Sequence, residues 1–172
     1  MVRLLRSPAL LVAAALSLST AAPAARVVAS PKVKGKVDLL RPLTLQRLTD
    51  MDFGILGVTT GGSATINPIT GALSVTGGLL RLGGAVSPAR YAGAASKQTV
   101  VLIRVPSQPV LITRAGGTQT LSVSAFTLDG QDKRALAQQQ SFTFAVGATI
   151  TVPAGTVEGL YTGEIDITVQ YP

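Results

Sequence analysis

Apolar and polar residues alternate with a period of two through much of this chain, most plainly at its C-terminal end. From Tyr161 onward, Tyr161, Gly163, Ile165, Ile167, Val169 and Tyr171 fall on one face, and Thr162, Glu164, Asp166, Thr168 and Gln170 on the other. Successive strand side chains point to opposite faces, so the pattern predicts a half-buried strand with a core side and a wet side. At eleven residues it is long against a usual strand of about 5–6. The chain as given stops one residue later, at Pro172, which raises the expectation that this core strand lacks a neighbour on its far side.

The same period recurs upstream. Val33, Gly35, Val37 and Leu39 alternate with Lys32, Lys34, Lys36 and Asp38, predicting a strand with a charged outer face. Pro42 interrupts it, so a strand running through here is an edge or a kinked one. Leu43 and Leu45 resume the alternation, Phe53 reads as a core anchor, and Gly54 permits a turn. Gly61-Gly62, Asn67-Pro68 and Thr70-Gly71 read as turns around short strands at Ala64–Ile66 and Leu73–Val75, and Gly77-Gly78 and Gly83-Gly84 bracket Leu79–Leu82.

Ala89–Gly93 is a weak strand. Thr99–Val105 is apolar on both faces apart from Arg104, which suits a central sandwich strand, and Pro106 ends it. Val110–Thr113 is a short strand. In Thr120–Leu128, Leu121 and Val123 point inward while Phe126 and Leu128 take the opposite phase; either a β-bulge near Ala125 or cover on both faces accounts for the switch. Asp129-Gly130 is a turn, and Lys133–Gln140 is the one helix-tolerant stretch, short enough to be a loop. Ser141–Val152 alternates again through Phe142, Phe144, Val146, Ala148, Ile150 and Val152, with a bend expected at Gly147. Many short strands between Gly/Pro turns predict an all-β sandwich or barrel.

Composition changes the picture at the N-terminus. Met1–Arg6 is basic, Pro8–Ala22 is apolar, and Ala22-Pro23-Ala24 fits a small-x-small cleavage rule, so residues 1–24 read as a secretory signal peptide; a weaker site follows Ala29. The apolar run falls short of the ~20 residues that span a bilayer, so no stable membrane span is expected after cleavage. Three units follow: 1–24 signal peptide, 25–40 an N-terminal extension and candidate donor strand, and 41–172 a β-sandwich domain. Export to the periplasm, cell surface or exterior is expected. With no cysteine, burial and strand pairing alone must hold the fold. Removing Arg3 and Arg6 takes the formal charge from +7 to +5. Arg26, Lys32, Lys34 and Lys36 read as a solvated strand face, with weak attraction to an anionic envelope as the sharper alternative; nucleic acid is not an expected partner.

Candidate chemistry is sparse. The chain has no histidine to serve a serine nucleophile, and a Ser–Lys pair has no motif around Lys97 or Lys133. Zinc ligands are missing by composition. Asp129-Gly130-Gln131-Asp132 lacks calcium-loop spacing and reads as a turn, while Asp50 and Asp52 flank Met51 and Phe53. No Gly pair leads from a strand into a helix, so none cradles phosphate. Neither an enzyme nor a cofactor or metal is therefore expected. Tyr161 opens a strand behind Gly159, as does the tyrosine corner of Greek-key sandwiches.

Three pieces carry a resemblance. They are Arg41-Pro42-Leu43-Thr44-Leu45 running to Met51-Asp52-Phe53-Gly54; Phe142–Gly147 with Val152-Pro153-Ala154-Gly155; and Gly159–Gly163 with the tail Ile165–Tyr171. Together they resemble the bacterial secreted family catalogued as domain of unknown function 4402, over about Val33–Pro172. The C-terminal motif is more loosely similar to archaic chaperone–usher pilins of the spore coat protein U type, though the cysteines common there are missing. The resemblance implies an immunoglobulin-like, antiparallel Greek-key β-sandwich at the cell surface, and no activity.

Two functions fit. One is a pilin-like structural subunit assembling by donor-strand complementation with identical subunits or a periplasmic chaperone and usher. Ile165, Ile167 and Val169 would border the groove, and Val33, Gly35, Val37 and Leu39 would fill it. The other is a monomeric periplasmic or surface module, binding carbohydrate or matrix, in which Val33–Leu39 pairs within its own domain. The same residues serve both.

Overall fold

The computed structural model describes residues 34–138 and 140–172. The signal-peptide assignment at 1–24 and the candidate donor residue Val33 lie outside them. The compact unit runs from Asp38 to Pro172. Within it the strands are β1 (Thr44–Thr49), β2 (Ile55–Ile66), β3 (Leu73–Gly83), β4 (Ala89–Ala94), β5 (Thr99–Arg104), β6 (Val110–Arg114), β7 (Thr120–Leu128), β8 (Lys133–Leu136), β9 (Ser141–Val152), β10 (Tyr161–Thr162) and β11 (Thr168–Gln170). The described residues contain no helix.

All pairings are antiparallel. One eight-stranded sheet follows the order β1-β4-β9-β7-β6-β10, with the β2–β3 hairpin joined to it through β9; a three-stranded sheet has the order β11-β5-β8. Neighbours are mostly non-sequential, as in immunoglobulin-like Greek-key sandwiches.

β9 is the spine. Its Ala148, Ile150 and Val152 join Ala64, Leu79, Ile112, Leu121 and Val123 in one core cluster. Its Phe142, Phe144 and Val146 join Ala89, Val101, Ile103 and Leu136 in a second. Every residue on the predicted inward face of β9 is buried. Phe144 stacks on Tyr91 with ring centroids 5.1 Å apart, and the Arg134 guanidinium lies over its ring.

The phase switch in β7 is a bulge. The β7–β9 register shifts between Ser124 and Thr127, and Ala125 takes φ = +50°. One unpaired residue redirects the strand, so Leu121 and Val123 serve the first cluster and Leu128 the second.

Four expectations are corrected. Gly61-Gly62 is not a turn: it and Gly77-Gly78 sit inside the long strands β2 and β3, where Gly62 pairs with Gly77 across a register shift. A Cβ on Gly77 would lie 2.7 Å from the Gly61 carbonyl oxygen, so glycine here admits a bulge in a close-packed ribbon. Part of Lys133–Gln140 is strand β8, because so short a stretch is marginal as a helix while β5 offers a ladder. Lys34–Leu40 forms no strand. The C-terminal segment is not one continuous strand either, but two short ones separated by residues 163–167.

Candidate assembly site

The split strand keeps its facing. Tyr161, Ile165, Ile167, Val169 and Tyr171 are half-buried, and Thr162, Glu164, Asp166, Thr168 and Gln170 are exposed. Tyr161 and Ile165 pack against the first core cluster, and Ile167, Val169 and Tyr171 against the second. At Gly163 a side chain is excluded, because its Cβ would stand 2.7 Å from the Ile112 methyl. The segment thus lies across both halves of the core.

Its hydrogen bonding changes sheets. β10 pairs with β6, Tyr161 opposite Arg114, while β11 pairs with β5, Thr168 opposite Arg104. Between these anchors the partner side carries Val105-Pro106-Ser107-Gln108-Pro109, a loop in neither strand. Proline lacks an N–H and the extra residues must bulge outward, so the ladder is interrupted opposite residues 163–167. The loop, Arg104, Glu164, Asp166 and Thr168 line a surface depression of about 350 Å³. Glu164 and Asp166 form no ion pair among the described residues.

β10 is the last strand of the large sheet and β11 the last strand of the small one. On their outer side neither has a strand partner among the described residues. Such an edge presents unpaired N–H and C=O groups.

Tyrosine hydroxyls hold both ends of this segment. The Tyr161 hydroxyl donates to the Val157 carbonyl at 2.7 Å, the geometry of a tyrosine corner. The Tyr171 hydroxyl donates to the Arg41 carbonyl at 2.8 Å and accepts from the Ser96 N–H at 2.9 Å. The Arg41 N–H donates to Ser96 Oγ at 2.6 Å, and its guanidinium to Gln140 Oε1 at 2.6 Å. Arg41 is therefore fixed beside the end of β11.

Of the six residues assigned to assembly from sequence, Ile165, Ile167 and Val169 lie together on this edge segment. Val37 and Leu39 are 77% and 89% exposed and belong to no strand. Val33 is outside the described residues. Sequence reasoning placed Tyr171 on the inner face but missed its hydroxyl tie to Arg41 and Ser96, which no local pattern signals.

Three acidic groups elsewhere have structural partners. Asp129 is ion-paired with Arg134, whose guanidinium also donates to the Thr143 carbonyl. Asp50 pairs with Arg47 at 2.7 Å, and Asp52 accepts the Gly54 N–H at 2.8 Å. No curated protein and no solved structure matches the chain. A family model does, over residues 43–171, from the start of the sandwich through its tyrosine-tied last strand, and the chain belongs to that family, the domain of unknown function DUF4402.

Proposed function

We propose that this protein is an exported, non-enzymatic structural subunit of the cell surface, pilin-like, that assembles by donor-strand complementation. The observation that carries this reading is the open outer edge of β10–β11, backed by the half-buried Ile165, Ile167 and Val169. The donor is the extension ending at Leu39 of a neighbouring copy. Its Val37 and Leu39 are exposed, and burying such a side chain is worth about 1.5–3 kcal/mol. Strand addition supplies backbone hydrogen bonds, and alternate side chains give the fit.

An antiparallel donor is favoured, since antiparallel ladders are slightly more stable per residue. Setting Lys36 beside Glu164 and Lys34 beside Asp166 places Val37 against Gly163 and Gly35 against Ile165. Large then meets small at these two inner positions, and opposite charges meet on the outer face. A carbohydrate-binding module calls instead for exposed aromatic rings. The three tyrosines and four phenylalanines are all buried or half-buried, which weighs against that reading.

The test is light scattering and unboiled SDS electrophoresis of the exported protein against its Val37→Asp/Leu39→Asp variant. The wild type is expected to form SDS-resistant ladders and the variant to remain monomeric. A wild type that stays monomeric, or a variant that assembles equally well, defeats the proposal.

A further inference from the structure

The turn that carries the chain from β7 in the large sheet to β8 in the small one contains Asp129-Gly130. Its backbone is tied on both sides of this pair. The Asp129 N–H donates to the Ala145 carbonyl at 3.0 Å, and the Ile103 N–H donates to the Asp132 carbonyl at 2.8 Å. Between these ties the Gly130 N–H has no hydrogen-bond partner among the described residues, and Gly130 is exposed. One arginine holds the residues on either side of it. The Arg134 guanidinium is ion-paired with the Asp129 carboxylate and donates to the Gln131 carbonyl at 3.1 Å. It is itself fixed on β9, donating to the Thr143 carbonyl at 2.9 Å and lying over the Phe144 ring.

We propose that Asp129-Gly130 is a site of spontaneous isoaspartate formation and that Arg134 is the brake on it. Glycine has no Cβ to shield its nitrogen. In the first step the Gly130 nitrogen bonds to Asp129 Cγ, and one carboxylate oxygen leaves as water, taking the amide proton and one proton from solvent. The product is a five-membered succinimide. Water then adds to the Asp129 α-carbonyl carbon. The bond from that carbon to the Gly130 nitrogen breaks, the nitrogen regains its proton, and its bond to Cγ remains. One water leaves and one enters, so no other reactant is needed. The backbone now runs through Asp129 Cβ and Cγ and is one atom longer.

Ring closure requires the Asp129 carboxyl to leave Arg134 and swing onto the Gly130 nitrogen, with the intervening backbone turning to meet it. Arg134 opposes the first motion through the ion pair and the second through its hold on Gln131. A hydrogen bond to a charged group that must be released before reaction slows that reaction by its own free energy. The added backbone atom also lengthens a span that the ties at Asp129 and Asp132 fix at both ends. The rest of the chain offers little competing signal. Asp129 is the one aspartate followed by glycine, and Asn67, the one asparagine, precedes Pro68, whose nitrogen carries no hydrogen.

The experiment incubates the full-length protein for weeks at neutral pH and physiological temperature, beside Arg134→Gln and Gly130→Ala, with circular dichroism as the folding control. Isoaspartate is counted by isoaspartyl methyltransferase labelling and located by fragmentation of the tryptic peptide 115–133. Arg134→Gln is expected to accumulate it at Asp129 about tenfold faster than the wild type, the worth of one hydrogen bond to a charged group. Gly130→Ala is expected to accumulate almost none. Its added Cβ has room, the nearest atom being Arg134 Nη2 at 3.4 Å, but it shields the nitrogen. Should Arg134→Gln fail to fold, Arg134→Lys takes its place, because it keeps the charge and loses the fork that spans Asp129 and Gln131. A folded Arg134 variant that forms isoaspartate no faster than the wild type overturns the brake. No isoaspartate at Asp129 in any of these proteins overturns the site itself.

Discussion

Tyr91 shows how a single residue couples the core to solution conditions. Its ring stacks on Phe144. Burial pushes its phenol above the ordinary value of 10.0; the nearby Arg47 charge opposes this and the Asp50 charge adds to it. A buried phenolate is costly, so the folded chain holds this proton longer than the unfolded chain does. As pH rises past the unfolded value, the unfolded chain ionises first and stability falls until the folded group ionises too. The contribution is intact below about pH 10 and lost above it. The expected outcome is a urea midpoint that drops between about pH 9 and about pH 11, with a shallower drop in Tyr91→Phe, which keeps the ring stack. Equal slopes in the two proteins would show that Tyr91 does not contribute.

At the scale of an element, β9 depends on one glycine. The strand continues through Gly147, while its partner on one side changes from β4, last paired at Val146, to β2, first paired at Thr149. A Cβ on Gly147 would lie 2.1 Å from the Ile66 carbonyl oxygen and 2.8 Å from Pro68 Cδ. Backbone cannot give way as a flexible side chain can, so Gly147→Ala is expected to cost about 3 kcal/mol, the upper end of overpacking penalties. Chemical denaturation measures this; a loss of only a few tenths would mean that the β2–β3 hairpin shifts freely. The glycine at this handover was legible in the sequence as a position, but what presses on it was not, because it comes from a turn some 80 residues earlier.

On the scale of the molecule, the proposed donor register sets two pairs of opposite charges on the outer face of the β10–β11 edge. Exposed ion pairs are worth about 0.2–1 kcal/mol each. Glu164→Gln/Asp166→Asn is therefore expected to weaken assembly by about three- to tenfold and to remove most of its salt dependence. Sedimentation velocity at low and high salt checks this. Assembly in the variant as strong and as salt-sensitive as in the wild type would exclude the charge pairing and leave the apolar contacts to explain the register.

For β9 and Tyr161–Tyr171, the inward-facing side chains could be read from the alternation alone. The alternation in β9 and in Tyr161–Tyr171 is a steric property of extended chain, present before any partner arrives. The break in period near Ala125 was legible for the same reason; that it is a bulge and not cover on both faces came from the β7–β9 register. Hydrogen-bond partners were not legible, because a period of two says which way a residue points and nothing about what lies beside it. Tertiary packing divides the last segment between two sheets around the Val105–Pro109 loop. It alone made the glycine pairs bulges and Lys133–Leu136 a strand. It also brought the Tyr171 hydroxyl to Arg41, a contact 130 residues apart that exists only once the core has folded.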